Sequence, residues 1–131
     1  MNFLIVDDDI ISRHVLTALM REYGNTDEAV NGVEAVKAFR ASKRANNEYT
    51  AIFMDIMMPE LDGKTATSNI REIEKKHGIQ SKDEAIIIML SSLDDPKNVM
   101  ESYYDAGATS YIVKPVTAEK INTEFKKLGL I

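Results

Sequence analysis

The stretch that decides the fold is Ile52-Phe53-Met54-Asp55-Ile56-Met57-Met58-Pro59-Glu60-Leu61-Asp62-Gly63. Its first part, with Ala51 before it, is a short apolar run that suits a buried strand and ends at Asp55. The rest predicts a loop, because Pro59 fixes one backbone angle and Gly63 is free to adopt another. A carboxylate at the end of a core strand is costly unless a cation, a proton or a hydrogen bond compensates it. The other segments must therefore explain Asp55.

Composition favours one globular domain. With 131 residues, 44% hydrophobic and 28% charged, we expect a single domain over residues 1–131 and no output domain. The net charge of −5 argues against direct nucleic-acid binding. The absence of cysteine excludes disulfides, thiolate metal sites and a cysteine nucleophile. No signal peptide and no apolar run near the roughly 20 residues of a membrane span are present, so we expect a cytoplasmic protein that does not bind membranes.

Apolar runs and segments of helical spacing alternate five times along the chain. The strands are predicted at 3–6, 26–30, 51–55, 85–90 and 109–113. The helices are predicted at 12–23, from 33 into the polar stretch 42–48, and at 64–77, 96–106 and 117–128, with a charged surface loop over 74–84. Such alternation predicts an α/β fold, with a parallel sheet and helices on both faces.

Polar side chains follow the predicted strands where each strand ends. In open α/β sheets the carboxyl ends of the strands share one edge, and ligands bind there. We therefore expect these side chains to lie near one another: Asp7, Asp8 and Asp9 after the first strand, Asp55 at the end of the third, Ser91 and Ser92 after the fourth, and Lys114 after the fifth.

Each group at this edge has a chemical interpretation. Neighbouring carboxylates repel one another, which favours protonation or a hard divalent cation, and an all-oxygen site suits Mg²⁺. A carboxylate beside such a cation can attack phosphorus and form an acyl phosphate. A lysine and a hydroxyl at the same edge can bind the other phosphoryl oxygens.

With these residues in place, the sequence resembles the receiver domains of two-component response regulators over nearly its whole length. Singly the matching motifs are weak, but together and in this order they are specific. They are Val6-Asp7-Asp8, Met54-Asp55-Ile56-Met57-Met58-Pro59 with Asp62-Gly63, Leu90-Ser91-Ser92, Gly107-Ala108, and Tyr111-Ile112-Val113-Lys114-Pro115. The resemblance implies a (βα)₅ three-layer sandwich of the flavodoxin-like and CheY-like type, with a five-stranded parallel sheet in the order 2-1-3-4-5.

The resemblance also implies a role for each site residue. Asp55 is the expected phosphoacceptor. Asp8, Asp55 and the main-chain carbonyl of Met57 are the expected ligands of Mg²⁺ or Mn²⁺, with Asp7 acting through a metal-bound water. The expected phosphoryl-binding and switch residues are Lys114, Ser91 and Tyr111, and the Lys114–Pro115 peptide bond is expected to be cis.

The expected function is that of a signalling module and not of an enzyme, apart from promoting its own phosphotransfer and dephosphorylation. The phosphoryl donor is expected to be a histidine kinase or a histidine phosphotransfer protein. The response is expected on the face formed by the fourth helix, fifth strand and fifth helix, where Ser91 and Tyr111 would bias contact with an unknown downstream protein. The chain would act as a monomer or as a phosphorylation-dependent dimer.

Two apolar side chains suggest a slow loss of the phosphoryl group. Met57 lies two residues after Asp55, and Leu93 lies two residues after Ser91. In the receiver-domain family, the residues at these two positions border the path of the hydrolytic water. Neither side chain can orient or deprotonate water. We therefore expect a long-lived phosphoryl-Asp55 when no phosphatase is present.

Two alternatives stay open. An aspartate-nucleophile phosphohydrolase of the haloacid-dehalogenase type also uses an acid, a hydroxyl and a lysine, but it needs a second acid where Met57 stands. A non-phosphorylated pseudo-receiver scaffold would not need the acid, hydroxyl and lysine together. A flavodoxin-type cofactor protein is disfavoured, because no phosphate-binding loop follows the first strand.

Other polar residues favour structural roles. Asp9 suits the N-cap of the first helix, and Asp62-Gly63 suits a plain turn. Ser92 is expected to neighbour the site without binding a ligand. His14 and His77 are expected at the surface, and the charges over 71–76 are expected to form a solvated helix face.

Overall fold

The five apolar runs form one parallel sheet, in a computed structural model that describes residues 1–92 and 95–131. The strands are β1 (Asn2–Val6), β2 (Asn25–Ala29), β3 (Ala51–Asp55), β4 (Ile86–Ser91) and β5 (Ser110–Val113). The main helices are α1 (Ile10–Met20), α2 (Gly32–Arg44), α3 (Gly63–Lys76), α4 (Pro96–Glu101) and α5 (Ala118–Lys127). The strand order β2-β1-β3-β4-β5 confirms the expected flavodoxin-like topology.

The sheet separates two apolar cores. All five residues of β3 are buried, and successive side chains of a strand point to opposite faces. Ile52 and Met54 therefore join a cluster that includes α2 and α3, whereas Ala51 and Phe53 join one that includes α1 and α5. The continuous hydrophobicity of the central strands follows from this double coverage.

Several boundaries differ from the sequence prediction. The predicted fourth helix is α-helical only over Pro96–Glu101, and Ser102–Ala106 forms a π-helical turn that ends at Gly107, whose φ is 89°. The predicted surface loop before β4 contains a short 3₁₀ turn, Ser81–Asp83. A shift in the backbone hydrogen-bond pattern leaves no trace in hydrophobic periodicity, so the π-helical turn could not be predicted from spacing.

The predicted solvated face over residues 71–76 is wrong in its central part. Glu74 is fully buried, and its carboxylate accepts hydrogen bonds from Arg71 Nη1 at 2.7 Å and from the main-chain N–H of Ala85 at 2.7 Å. Arg71 also donates to the carbonyl oxygens of Gly107 and Ala85 and to Thr109 Oγ1. The buried charge is tolerated because it is paired and hydrogen-bonded, and the pair ties α3 to the starts of β4 and β5.

The N-cap predicted at Asp9 is confirmed, and other helices are capped in the same way. Asp9 is the N-cap of α1, Asn31 of α2 and Thr117 of α5, and in each case the side chain accepts a main-chain N–H of the first turn. Pro96 stands in the first turn of α4. In the described part of the chain, no helix has both the length and the apolar character needed to cross a membrane.

Candidate functional site

Strand register brings the predicted site residues to one edge of the sheet. Val6 pairs with Met54, so Asp7 and Asp55, which follow them in the chain, emerge side by side. Asp55 pairs with Leu90, which sets Ser91 one residue further along β4. Ser91 pairs with Val113, and the main-chain N–H of Lys114 donates to the carbonyl oxygen of Ser91 at 2.7 Å.

Lys114 joins two of the acids. Its Nζ lies 3.2 Å from Asp55 Oδ1 and 3.4 Å from Asp7 Oδ2. Asp7 is 2% exposed and Asp55 is 6% exposed. Asp8 is exposed, but one oxygen from each of Asp7, Asp8 and Asp55 lies within 4.8 Å of the others. Three carboxylates thus share an edge at which one ammonium group pairs with two of them.

Backbone contacts hold Asp7 in place. The main-chain N–H of Asp9 donates to Asp7 Oδ1 at 3.0 Å, and Arg13 Nη1 donates to the Asp7 carbonyl oxygen at 2.9 Å. The Asp9 side chain instead accepts hydrogen bonds from the Ile11 N–H and the Ser12 hydroxyl. Asp9 is therefore a helix cap as expected, and its hydrogen bond with Ser12 lowers the pKa of its carboxyl group. Sequence reasoning did not single out Arg13, because its place in α1 shows only a polar helix face.

The pair Asp62-Gly63, expected to be a plain turn, also supports the site. Asp62 caps α3 by accepting the main-chain N–H of Thr65 at 2.8 Å. Gly63 packs against the backbone of Asp55, and a Cβ at position 63 would collide with the Asp55 carbonyl oxygen. Glycine is needed here for close approach, so this position helps to fix the backbone of Asp55.

The electrostatics of the site disfavour a charged Asp55. Burial, followed by the negative charges of Asp7 and Asp8, raises the pKa of Asp55 to about 6, although Lys114 opposes the shift. Burial alone would lower the pKa of Lys114, but attraction to Asp55 and Asp7 outweighs it and the net shift is upward. Burial of Asp55, together with repulsion from the neighbouring acids, therefore outweighs the attraction of one lysine, which favours an added cation.

The residues at this edge fit a hard divalent cation. The donor set consists of carboxylate oxygens only, from Asp7, Asp8 and Asp55, and carboxylates in this arrangement suit Mg²⁺. Asp8 is exposed and free to turn toward an ion, whereas both oxygens of Asp7 are engaged by Asp9 and Lys114. The side chain of Met57 is 66% exposed.

The remaining predicted residues fall at or near the site. Ser91 is 2% exposed, and among the described residues its Oγ has no hydrogen-bond partner. Tyr111 lies on β5 with 42% of its surface exposed, and the Lys114–Pro115 bond is cis. Ser92 is exposed, as are His14 and His77. Leu93 lies outside the described residues.

A cluster of three residues near the site was not anticipated: Lys64, Asn98 and Glu101. Lys64, in the first turn of α3, donates to Asn98 Oδ1 and pairs with Glu101 Oε2, both at 2.6 Å. Asn98 Nδ2 in turn lies 3.9 Å from the sulfur of Met57. These contacts link the loop after Asp55 to α4, and they join elements more than 30 residues apart, so local sequence carries no signal for them.

Comparison with known proteins agrees with this geometry. The family described as the response regulator receiver domain matches residues 3–126. The chain therefore belongs to the receiver-domain family of two-component signalling proteins.

Relatives are found in both kinds of two-component protein. The chain is 31% identical over 127 residues to hybrid signal transduction histidine kinase L of Dictyostelium discoideum, covering 96% of this chain and 7% of the relative. It is 34% identical over 126 residues to the transcriptional regulatory protein SrrA of Staphylococcus aureus, covering 95% of this chain and 46% of the relative. The chain thus spans less than half the length of these curated relatives.

Two solved structures share the fold closely. The receiver domain of Saccharomyces cerevisiae Ssk1, solved in complex with the histidine phosphotransfer protein Ypd1, has a TM-score of 0.84 and 27% identity, covering 99% of this chain and 89% of that one. The CheX–CheY–BeF₃–Mg²⁺ complex of Borrelia burgdorferi has a TM-score of 0.82 and 30% identity, covering 98% of this chain and 89% of that one.

The raised pKa of Asp55 predicts the pH dependence of stability without divalent cations. The folded state holds this proton more tightly than the unfolded state, so Asp55 costs no stability below about pH 4 and its cost is complete above about pH 6. Asp55→Asn should therefore match the native chain at pH 4 and be more stable at pH 7.5. The gain should be on the order of 1 kcal/mol, less than the full shift implies, because solvent screens the site and Lys114 loses a charged acceptor.

Urea unfolding in buffer freed of divalent ions measures this difference. Asp83→Asn, which removes an exposed acid on the 3₁₀ turn, is the matched control and should show no such pH dependence. Equal stabilities of the native chain and Asp55→Asn at both pH values would contradict the prediction.

Proposed function

We propose that this chain accepts a phosphoryl group on Asp55 from a histidine-containing donor and uses it to change a protein-binding face. The observation that carries the proposal is the contact of Lys114 with the buried carboxylates of Asp55 and Asp7, beside the exposed Asp8. These groups combine a nucleophile, a cation for phosphoryl oxygens and an acidic pair for a metal ion. The receiver-domain family to which the chain belongs supports the same function.

The proposed transfer is a single displacement at phosphorus. An oxygen of Asp55 forms the new P–O bond as the P–N bond of a phosphohistidine breaks, and the electron pair of that bond stays on the imidazole. A pKa near 6 leaves Asp55 mostly ionised at pH 7 and makes it a stronger nucleophile than an ordinary carboxylate. The ammonium group of Lys114 lies 3.2 Å from Asp55 Oδ1. After transfer it would pair with the negatively charged phosphoryl oxygens.

The same proposal includes a divalent cation. Asp8, Asp55 and the main-chain carbonyl of Met57 would hold Mg²⁺ or Mn²⁺, with Asp7 acting through a bound water. When bound, the ion would offset the charge of the phosphoryl oxygens. The engagement of both Asp7 oxygens by Asp9 and Lys114 supports an indirect role for Asp7.

Ser91 and Tyr111 would carry the signal to the face formed by α4, β5 and α5. Among the residues that the structure describes, the buried Ser91 hydroxyl has no hydrogen-bond partner, and a phosphoryl oxygen would provide one. Movement of Ser91 would open space for the exposed ring of Tyr111 to turn inward, and coupling of about 1–3 kcal/mol is typical of such switches. A downstream protein, or a second copy of the chain, would bind the altered face.

The single most informative experiment is mass measurement after incubation with a small phosphodonor. With Mg²⁺ present, the native chain should gain one phosphoryl group, and Asp55→Asn should gain none. Asp83→Asn should be labelled like the native chain, because this exposed acid lies away from the site. If neither a small donor nor a phosphorylated kinase labels the native chain, the scaffold alternative is correct. In the labelled chain, an unchanged NMR signal of the Tyr111 ring would contradict the switch.

Binding of the donor protein can be tested separately from the chemistry at Asp55. A phosphohistidine can reach Asp55 only if its protein contacts the surface beside the site, and that surface is apolar: Ile11 is 70% exposed and Val15 49%, next to a cavity that Asp7 and Lys114 also line. In the proposal this patch binds a histidine kinase or histidine phosphotransfer protein, in the cytoplasm. The solved complex of Ypd1 with a receiver domain supports such a partner.

A double variant in which Ile11 and Val15 are both changed to Asp should receive the phosphoryl group from a phosphorylated histidine phosphotransfer protein at least tenfold more slowly. Labelling by a small phosphodonor should be unchanged, because the variant leaves Asp55 and Lys114 intact. Ile131→Asp, which alters an exposed apolar residue at the far end of the chain, serves as the control. Equal loss with both donors would show that the site itself was damaged.

Met57 predicts a persistent signal. Its side chain is exposed and offers no group that orients or deprotonates water, so phosphoryl-Asp55 should last for minutes or longer after the donor is removed. Met57→Gln should shorten this lifetime, because an amide can position the attacking water. Met100→Gln, at another exposed methionine, should leave it unchanged. Decay of the native chain within seconds would rule the prediction out.

The proposal excludes a turnover enzyme of the haloacid-dehalogenase type. Such an enzyme needs a second acid two residues after its nucleophile, and Met57 stands there with its side chain exposed. The chain should therefore promote only its own phosphorylation and dephosphorylation. Steady release of phosphate from p-nitrophenyl phosphate, abolished in Asp55→Asn, would favour the enzyme instead.

A further inference from the structure

A basic groove lies between α2 and α3, at the opposite edge of the sheet from Asp55. Both helices run antiparallel to the strands, so their last turns lie at the edge where the strands begin. A cavity of about 620 Å³ opens there. Its lining includes the apolar Val36, the buried Ile73 and His77, together with four cations: Arg40, Lys43, Arg44 and Lys76.

The groove is lined by positive charges, although the chain as a whole carries a negative net charge. The sequence has 16 Lys and Arg against 21 Asp and Glu, yet four of those 16 cations line this one cavity, and among the described residues that line it Glu72 is the only acid. Like charges that converge repel one another, and an anion between them relieves that repulsion. The groove should therefore attract anions, whereas the rest of the protein, with its excess of acids, repels them.

Helix dipoles explain only part of this arrangement. Cations are favoured in the last turn of a helix, which accounts for Lys43, Arg44 and Lys76 singly. Lys43 also has local partners, since its Nζ lies 3.2 Å from Glu48 and 5.4 Å from the centre of the Phe39 ring. Arg40 lies before the last turn, and among the described residues Arg40, Arg44 and Lys76 have no carboxylate within 4.0 Å. Their convergence on one cavity is what the dipoles leave unexplained.

We propose that the groove binds a nucleoside di- or triphosphate. The cavity is too large for inorganic phosphate alone and falls within the usual 300–1,000 Å³ of small-molecule sites. Arg40, Arg44 and Lys76 suit a chain of phosphates, because each guanidinium group can donate to two phosphate oxygens at once. The apolar lining residues Val36 and Ile73 suit a planar base, and the amide of Asn69 supplies a donor and an acceptor for its edge.

Binding of ADP to the native chain, in buffer freed of divalent ions, tests the site apart from the metal-dependent chemistry at Asp55. Calorimetry should give a Kd on the order of 0.1 mM at low salt, weakening as NaCl is added. NMR signals of Arg40 and Lys76 should shift, and those of Asp55 and Lys114 should not. Adenosine and inorganic phosphate should each bind at least tenfold more weakly, because each lacks half of the contacts.

Matched variants separate this site from general attraction to a cation-bearing surface. Arg40→Gln with Arg44→Gln should weaken ADP binding at least tenfold while leaving the urea midpoint and phosphodonor labelling unchanged. Lys37→Gln on α2 and Lys75→Gln on α3 remove exposed cations that do not line the groove, and they should leave binding unchanged. The proposal is overturned if ADP shifts no groove signal, if the controls lose as much affinity, or if a polyglutamate peptide binds more tightly than ADP.

Discussion

The crowding of acids against one lysine is the interaction on which this molecule depends. Asp7 and Asp55 are buried and share the ammonium group of Lys114, with Asp8 close by. A site with this excess of negative charge is held together only because the strands beneath it are fixed by parallel pairing and by two apolar cores. Stability from the cores thus offsets an electrostatic cost at the edge, and in the proposed function that cost prepares the edge for a metal ion and a phosphoryl group.

The position of the site could be predicted because it follows from topology alone. Once five strands run parallel, the residues that end them must meet at one edge, so Asp7, Asp55, Ser91 and Lys114 were found without any knowledge of contacts. The helix caps Asp9 and Thr117 were predictable for a similar reason, since a cap acts on its own first turn. Both kinds of prediction rest on interactions between residues that are adjacent in sequence or in register.

What could not be predicted depends on elements that meet only after folding. From the sequence, Glu74 is one of many charges on an exposed helix, but its carboxylate accepts hydrogen bonds from Arg71 and from the main-chain N–H of Ala85. Arg71 is held in turn by the carbonyl oxygen of Gly107. Gly63 reads as a turn residue, although its lack of a side chain is needed for contact with Asp55. Helical periodicity indicates which face of α3 is apolar, but it gives no information about which polar groups of other elements approach the opposite face.

Helix α3 connects the parts of the molecule that these contacts define. Its first turn touches Asp55 through Gly63 and holds α4 through Lys64, its middle is tied to β4 and β5 by Arg71 and Glu74, and its last turn lines the basic groove. A rigid helix can carry energetic coupling between its ends when it has two discrete arrangements. If both ends bind ligands, thermodynamic linkage requires that each ligand affect the other equally. Because the pair formed by Arg71 and the buried Glu74 anchors the middle of the helix, that mutual effect should be small, and the groove and the proposed phosphoryl site at Asp55 should act as nearly independent sites on one scaffold.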